Sequence, residues 1–270
     1  MDLSPYRIAP GEPVRLADRP TEVDGGKTED ELDDLHDANL EALDELQERL
    51  FAEGTQSLLV VLQAMDAGGK DSTIGKVFGP LNPQGIRVWS FKKPTEKELS
   101  HDFLWRVHRR APGHGYIGVF NRSHYEDVLV VKVHGLAPPD VIERRYDHIR
   151  HFEQILEDGG TTVVKFMLHI SKDYQAERLR RRLRRPDKHW KFNPADLDER
   201  ERWDDYMRCF ETALERTSTE SAPWYVVPAE NRDFRDALVS SIVRETLERM
   251  DPQFPAPAFD PAEYPPESIE

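Results

Sequence analysis

The amino-acid sequence predicts an α/β protein in which a parallel sheet carries helices on both faces. Short, almost continuous apolar runs recur along the chain, as strands buried on both sides require. Stretches with apolar residues at three- and four-residue spacing separate them, as amphipathic helices require. Strand, helix and strand in that rhythm imply right-handed crossovers and parallel pairing. No repeat or linker divides the core, and 270 residues suffice to bury one.

The elements follow in order. Residues 1–27 are rich in Pro and Gly (Pro5, Pro10, Gly11, Pro13, Pro20, Gly25, Gly26) and read as a surface arm. Thr28 and Glu31 form a capping box before Leu32, Leu35, Leu43, Leu46 and Leu50, a stripe that predicts one helix ending at Gly54. Runs at 58–62 (LLVVL), 86–91 (IRVWSF), 116–120 (YIGVF), 162–170 (TVVKFMLHI) and 224–227 (WYVV) read as strands buried on both faces. Thr95 and Glu98 cap a segment leading to His101 and Trp105, and helical spacing continues over 141–156, 172–183, 197–214 and 234–250. The run 128–133 fits a strand or a buried helix equally well. The core thus occupies 28–250, with a lid at about 178–200, and 251–270 form a Pro-rich tail.

Composition excludes several classes. Lys and Arg number 37 against 51 Asp and Glu, a net charge of −14 that argues against nucleic acid as a partner. A lone cysteine, Cys209, forms no intrachain disulfide and points to a reducing cytoplasm. No apolar run approaches the roughly 20 residues of a membrane span.

Ligands of such sheets sit beyond the carboxyl ends of the strands, so the residues after each apolar run are the place to look. After LLVVL the chain reads Gln63-Ala64-Met65-Asp66-Ala67-Gly68-Gly69-Lys70-Asp71-Ser72 and then enters a helix. Strand, glycine turn, lysine and helix start are the parts of a phosphate cradle, with N–H groups of Ala67 to Ser72 facing the anion and Lys70 supplying a point charge. The pattern G-x-x-x-x-G-K-[ST] is broken twice, by Ala64 at its first glycine and by Asp71 at its hydroxyl. Asp66 is an extra clue, since a carboxylate beside phosphate is repelled unless a cation or a proton lies between them.

YIGVF runs into Asn121-Arg122-Ser123-His124-Tyr125-Glu126-Asp127. Arg122 at this strand mouth is expected to contact transferring oxygens, while Glu126 or Asp127 offers a carboxylate for magnesium. Asn121 stands where many phosphate-loop enzymes place a magnesium aspartate. His124 reads more readily as a hydrogen-bonding residue than as a catalyst. In 171–192 Leu179 and Leu183 share one side of a helix, and Arg178, Arg181, Arg182 and Arg185 line a neighbouring face. Guanidiniums at that density call for an anion and match phosphate oxygens bidentately, or else form a solvated face paired with the acidic surface. Pro186 ends the helix, Asn193 caps the next, and Lys188 to Phe192 between them have the composition of a lid closing over phosphates and a base, or of a packed loop with Trp190 in a core.

Taken together, AMDAGGKDS, SFKKPT with Lys92 and Lys93, FNRSHYEDVL, KFMLHISKDYQ, RLRRRLRRPDKHWKFNPADL and SAPWYVV make the chain resemble the polyphosphate kinase 2 family, class III, over about residues 30–250. The resemblance implies a three-layer P-loop kinase core like that of thymidylate kinase, with an arginine-rich helical lid. It also implies phosphoryl transfer between inorganic polyphosphate and AMP, ADP or ATP, dependent on magnesium (or manganese), in a homo-oligomer, dimer or tetramer. By position it assigns Asp66 to metal and catalysis, Lys70 and Arg122 to the phosphates, and Arg178 and Arg182 to the lid. Asp66, Lys70, Arg122 and Asp127 are therefore the expected catalytic residues, with Asp66 and Asp127 the metal ligands. Ala67, Gly68, Gly69, Asp71, Ser72, Lys92, Lys93, Asn121, Arg178, Arg182 and Lys188 complete the expected phosphate and nucleotide contacts. The rivals are an ATP-dependent kinase on the same scaffold and a non-catalytic polyanion- or RNA-binding module built on the arginine helix.

Overall fold

The computed structural model describes residues 1–269; Glu270, at the end of the tail, lies outside the described residues. Six strands form one sheet: β1 (Arg7–Ile8), β2 (Ser57–Ala64), β3 (Ile86–Ser90), β4 (Ile117–Asn121), β5 (Thr161–His169) and β6 (Trp224–Pro228), in spatial order β1-β6-β5-β2-β4-β3. All neighbours from β6 to β3 pair in parallel. Every residue of β2 is buried, which requires cover on both faces. On one side α1 (Glu29–Glu53) packs along α10 (Arg232–Met250), and α10 meets β5 and β6. Elsewhere α6 (Pro139–Asp158) packs on β5 and on α9 (Trp203–Thr217).

The capping box at Thr28 forms as the residue types require, with Thr28 Oγ1 accepting from Glu31 N and the Glu31 carboxylate accepting from Thr28 N. At the far end Gly54 adopts φ +64, the left-handed conformation that closes a helix most easily without a Cβ. The inner face of α1 is partly polar: His36 Nδ1 lies 3.0 Å from Ser240 Oγ on α10, and Asn39 donates to Ser240 and Ser241.

Several expectations are corrected. β3 is not buried on both faces but is the sheet edge, with Val88 44% exposed, because the apolar run that forms it has a neighbour on one side only. Residues 1–27 do not stand off as an arm: β1 pairs antiparallel with β6, so the sheet is mixed, and Ile8, Val14 and Leu16 are buried. The segment after Thr95 is two single turns, α3 (Glu96–Leu99) and α4 (Trp105–His108). The ambiguous run 128–133 ends in a helical turn, α5 (Val130–Val133). The stretch 197–214 is two helices, α8 (Ala195–Glu201) and α9, broken at Arg202. The chain turns to either side of β2, with β4 on one flank and β5 on the other, which opens the crevice at its carboxyl end.

Candidate active site

At the end of β2 the loop 65–69 delivers the chain into α2 (Lys70–Thr73). Two of its glycines are demanded by close approach. A Cβ on Gly68 would lie 2.7 Å from Ala64 Cβ, and one on Gly69, at φ +100, would lie 2.6 Å from Arg235 Nη1. Lys70 is buried and folds back over the loop, with Nζ donating to the carbonyls of Ala64 (2.7 Å) and Met65 (3.3 Å). Burial, reinforced by the nearby Arg122 charge, lowers its pKa to about 8.

The mouth of β4 completes the site. Arg122 Nη2 donates to Asp66 Oδ1 at 2.6 Å, and Nη1 lies 3.9 Å from Glu126 Oε2. Of the three non-glycine residues with positive φ among the described residues, two are Ala67 (φ +61) and Arg122 (φ +59). Such conformations are disfavoured by roughly 1–3 kcal/mol and persist where surrounding structure imposes them, commonly at functional sites. One departure from the phosphate-loop pattern, Asp71, meets the unexpected amide at the tip of β4: Asn121 Nδ2 donates to Asp71 Oδ1 at 2.6 Å. The acid missing from the strand tip sits on the loop, and the amide satisfies it.

The turn 122–127 is held from beneath by a buried polar network. Glu153 Oε1 accepts from Tyr125 Oη (2.8 Å) and pairs with His124 Nε2 (3.2 Å), while Lys165 Nζ donates to Glu153 Oε2 (2.5 Å). Burial is the main influence on His124 and lowers its pKa, against the opposing pull of Glu153, and the ring is a structural member of this network. Asp127, expected beside Asp66, turns instead toward α6: its Oδ1 accepts from Arg145 at 3.2 Å, and burial raises its pKa to about 6. Glu126 takes the position facing the crevice. It lines a cavity of about 170 Å³ with Asp66, Arg122, Asp196, Glu199 and Tyr206. Gln63, with its amide oriented to satisfy both ends, donates to Glu126 Oε1 at 2.9 Å and accepts from Ser123. Burial raises the Glu126 pKa against the opposing pull of Arg122 and Lys70.

The arginine helix is α7 (Lys172–Arg184), followed by a turn over Pro186–Lys191 and by α8. Arg182 does not line the cavity itself but meets a residue that does, donating to Asp196 Oδ2 (3.2 Å) and also to the Lys191 carbonyl (3.1 Å). Arg178 lies over the Tyr174 ring at 6.0 Å, Lys188 pairs with Asp187 at 3.2 Å, and the exposed Lys92 and Lys93 follow β3; none of them lines the cavity. Leu183, expected on the packed side, is 52% exposed, because α7 projects past the core after Leu179. Trp190 is not in a core either: it is 77% exposed, with Lys191 Nζ 4.9 Å from its ring centroid.

Residue patterns alone did not single out Gln175, Asp196, Glu199, Tyr206 or Arg235. Arg235 forks onto Asp236 and donates to Ser72 Oγ at 3.2 Å. It follows the carboxyl end of β6, where the strand-end rule directs attention. The others lie on helices after β5 and carry no local motif. For a metal ion, Asp66 and Glu126 offer hard oxygen donors suited to magnesium. Among the described residues no group of three or more His, Cys, Asp or Glu is placed to hold a metal.

A glycine loop bearing a buried lysine, with an arginine–aspartate pair at the mouth of the next strand, fits an α/β phosphotransferase of the phosphate-loop class. The polyphosphate kinase 2 family model matches residues 26–255, and the chain belongs to that family. It is 57% identical over 215 residues to the AMP/ADP-polyphosphate phosphotransferase of Meiothermus ruber, covering 80% of each chain. It is 43% identical to the ADP-polyphosphate phosphotransferase of Rhodopseudomonas palustris, over 93% of this chain and 91% of that one. The crystal structure of polyphosphate kinase 2 from Arthrobacter aurescens TC1 superposes with a TM-score of 0.92 at 44% identity, over 95% of this chain and 93% of that one.

Proposed function

We propose that this enzyme moves the terminal phosphoryl group of inorganic polyphosphate to AMP and to ADP, giving ADP and ATP, and that it also runs the reverse reaction. The observation that carries the reading is the pairing of Arg122 with Asp66, a residue of the loop that leads into Lys70, at 2.6 Å. The names of the relatives from Meiothermus ruber and Rhodopseudomonas palustris support the same donor and acceptors. An oxygen of the acceptor phosphate forms the new P–O bond as the bridging P–O bond of the donor breaks, and the shortened polyphosphate leaves with the electron pair.

That acceptor oxygen is already ionised at neutral pH, so no strong base is needed and rate comes from positioning and charge neutralisation. Lys70 and Arg122 take the transferred group's oxygens, and Asp66 orients Arg122. Asp66 and Glu126 are the residues that would hold magnesium, which when bound neutralises phosphate charge. Arg182 closes over the phosphates from the lid. The proposal also includes a homo-oligomer, and it places the enzyme in the cytoplasm, in keeping with a single cysteine that is free and buried. Among the described residues no helix is long and apolar enough to cross a membrane.

The test is nucleotide chromatography after mixing protein, magnesium and long-chain polyphosphate with AMP or with ADP, polyphosphate being omitted from a control. New ADP and ATP that appear only with polyphosphate support the reading and rank the acceptors. Product formed only when ATP replaces polyphosphate as donor would favour the ATP-dependent kinase.

A further inference from the structure

We propose that Gln175 is a positioning residue that locks the orientation of the Asp66–Ala67 peptide in the cradle and registers the lid helices to it. Gln175 is 0% exposed in the first turn of α7, and its Nε2 donates to the Asp66 carbonyl at 2.9 Å. Its Oε1 accepts from Arg200 Nη1 of α8 at 3.2 Å, and the same guanidinium nitrogen also donates to the Lys172 carbonyl at the start of α7. One amide therefore joins three elements: the loop after β2, the root of the arginine helix and the helix that follows the lid turn.

The peptide it holds is the one that most needs holding. Ala67 is left-handed without being glycine, so the loop carries strain at this residue and tends to relax by rotating the adjoining peptide plane. In a planar trans peptide the carbonyl and the N–H point in opposite directions. Fixing the Asp66 carbonyl on Gln175 thus turns the Ala67 N–H away from α7. The bond decides whether the loop offers an anion a donor or a lone pair at this point. A carbonyl turned toward phosphate would repel it, whereas an N–H attracts it. The side chain of the same residue, Asp66, pairs with Arg122, so a rotation here would also disturb that pair.

This inference rests on the proposed phosphoryl transfer for its kinetic arm but not for its binding arm. The informative variant is Gln175→Glu, which keeps size and the Arg200 partner but, ionised, has no proton to give the Asp66 carbonyl. Gln175→Leu removes both bonds, and Arg200→Met removes only the far one. Tripolyphosphate binding by calorimetry is measured without nucleotide, beside kcat, KM and Tm. For both Gln175 variants we expect the tripolyphosphate Kd to rise and kcat/KM to fall by roughly 10- to 100-fold, with Tm within about 4 °C of the parent. Arg200→Met should lose about threefold or less, and adding it to Gln175→Leu should cost little more, since the two act through one contact. Wild-type binding by Gln175→Glu would overturn the proposal, as would a double variant whose losses simply multiply. Weakened binding accompanied by a fall in Tm beyond about 10 °C would also overturn it, by marking a merely structural role. If the parent protein shows no polyphosphate-dependent turnover, the function reading fails, and the binding arm still decides whether Gln175 orders the cradle.

Discussion

The cradle and the arginine helix both gather positive charge, but they hold it in opposite ways. In the cradle every cation is fixed before substrate arrives: Lys70 is tied to two carbonyls, Arg122 to Asp66, and Arg235 to Asp236 and Ser72. Along α7 the guanidiniums are mostly solvated, with Arg184 paired to Glu177 and Arg182 alone turned inward to Asp196. The difference separates two tasks. A charge fixed in a buried, pre-formed site acts on the transition state without reorganising, whereas an exposed one is screened and attracts a polyanion more than it speeds its chemistry. Changes in the cradle should therefore appear in kcat, and changes on α7 in the KM for polyphosphate.

The largest expected effect is that of Lys70→Ala, which removes the one ammonium inside the loop. It should lower kcat by a hundredfold or more, corresponding to about 3 kcal/mol of barrier. Turnover near the parent's in saturating magnesium would erase the distinction between the regions. Next is Gly69→Ala, which forces a methyl toward Arg235 Nη1 at a position of φ +100. It should lower kcat about tenfold or more and also lower Tm, both read on one preparation. Arg182→Ala sharpens the comparison from the other side: KM for polyphosphate should rise several-fold to about tenfold while kcat stays within about threefold. A kcat effect as large as that of Lys70→Ala would move Arg182 into the cradle's class.

The smallest effect is in the pH profile. Burial holds Lys70 at about 8 rather than 10.5, so the free enzyme loses its ammonium as pH rises through 8, and kcat/KM should fall there. Bound phosphate favours the charged form, so the corresponding limb in kcat should lie at higher pH. The folded chain binds fewer protons than the unfolded one between about 8 and 10.5, so this group's contribution to stability rises with pH across that window. A kcat/KM limb unmoved by Lys70 substitution would assign the titration elsewhere.

Much of this was legible in the residues because it is local. The Thr28 box, the Gly54 stop and the loop that carries Lys70 each depend on neighbours a few positions away, and each formed as the pattern requires. What was not legible depends on residues far apart in the chain. The edge position of β3 follows from strand order, which a five-residue apolar run does not encode. Two adjacent carboxylates, Glu126 and Asp127, are equivalent as text. The turn over His124–Asp127 sends one to the cavity and the other to Arg145 on α6, a separation set by tertiary packing. Likewise Asn121 and Asp71 each read as a broken motif, and only their contact across 50 positions reveals one exchanged pair.

The measurement that tests the central claim most directly is phosphorus NMR of long-chain polyphosphate with ADP and magnesium, run in parallel on the parent protein and on Lys70→Ala. The account predicts that ATP phosphorus signals grow at the expense of polyphosphate with the parent, and at least a hundred times more slowly with the variant. Equal rates from the two proteins, or no ATP from the parent while ATP consumption proceeds with another acceptor, would contradict it.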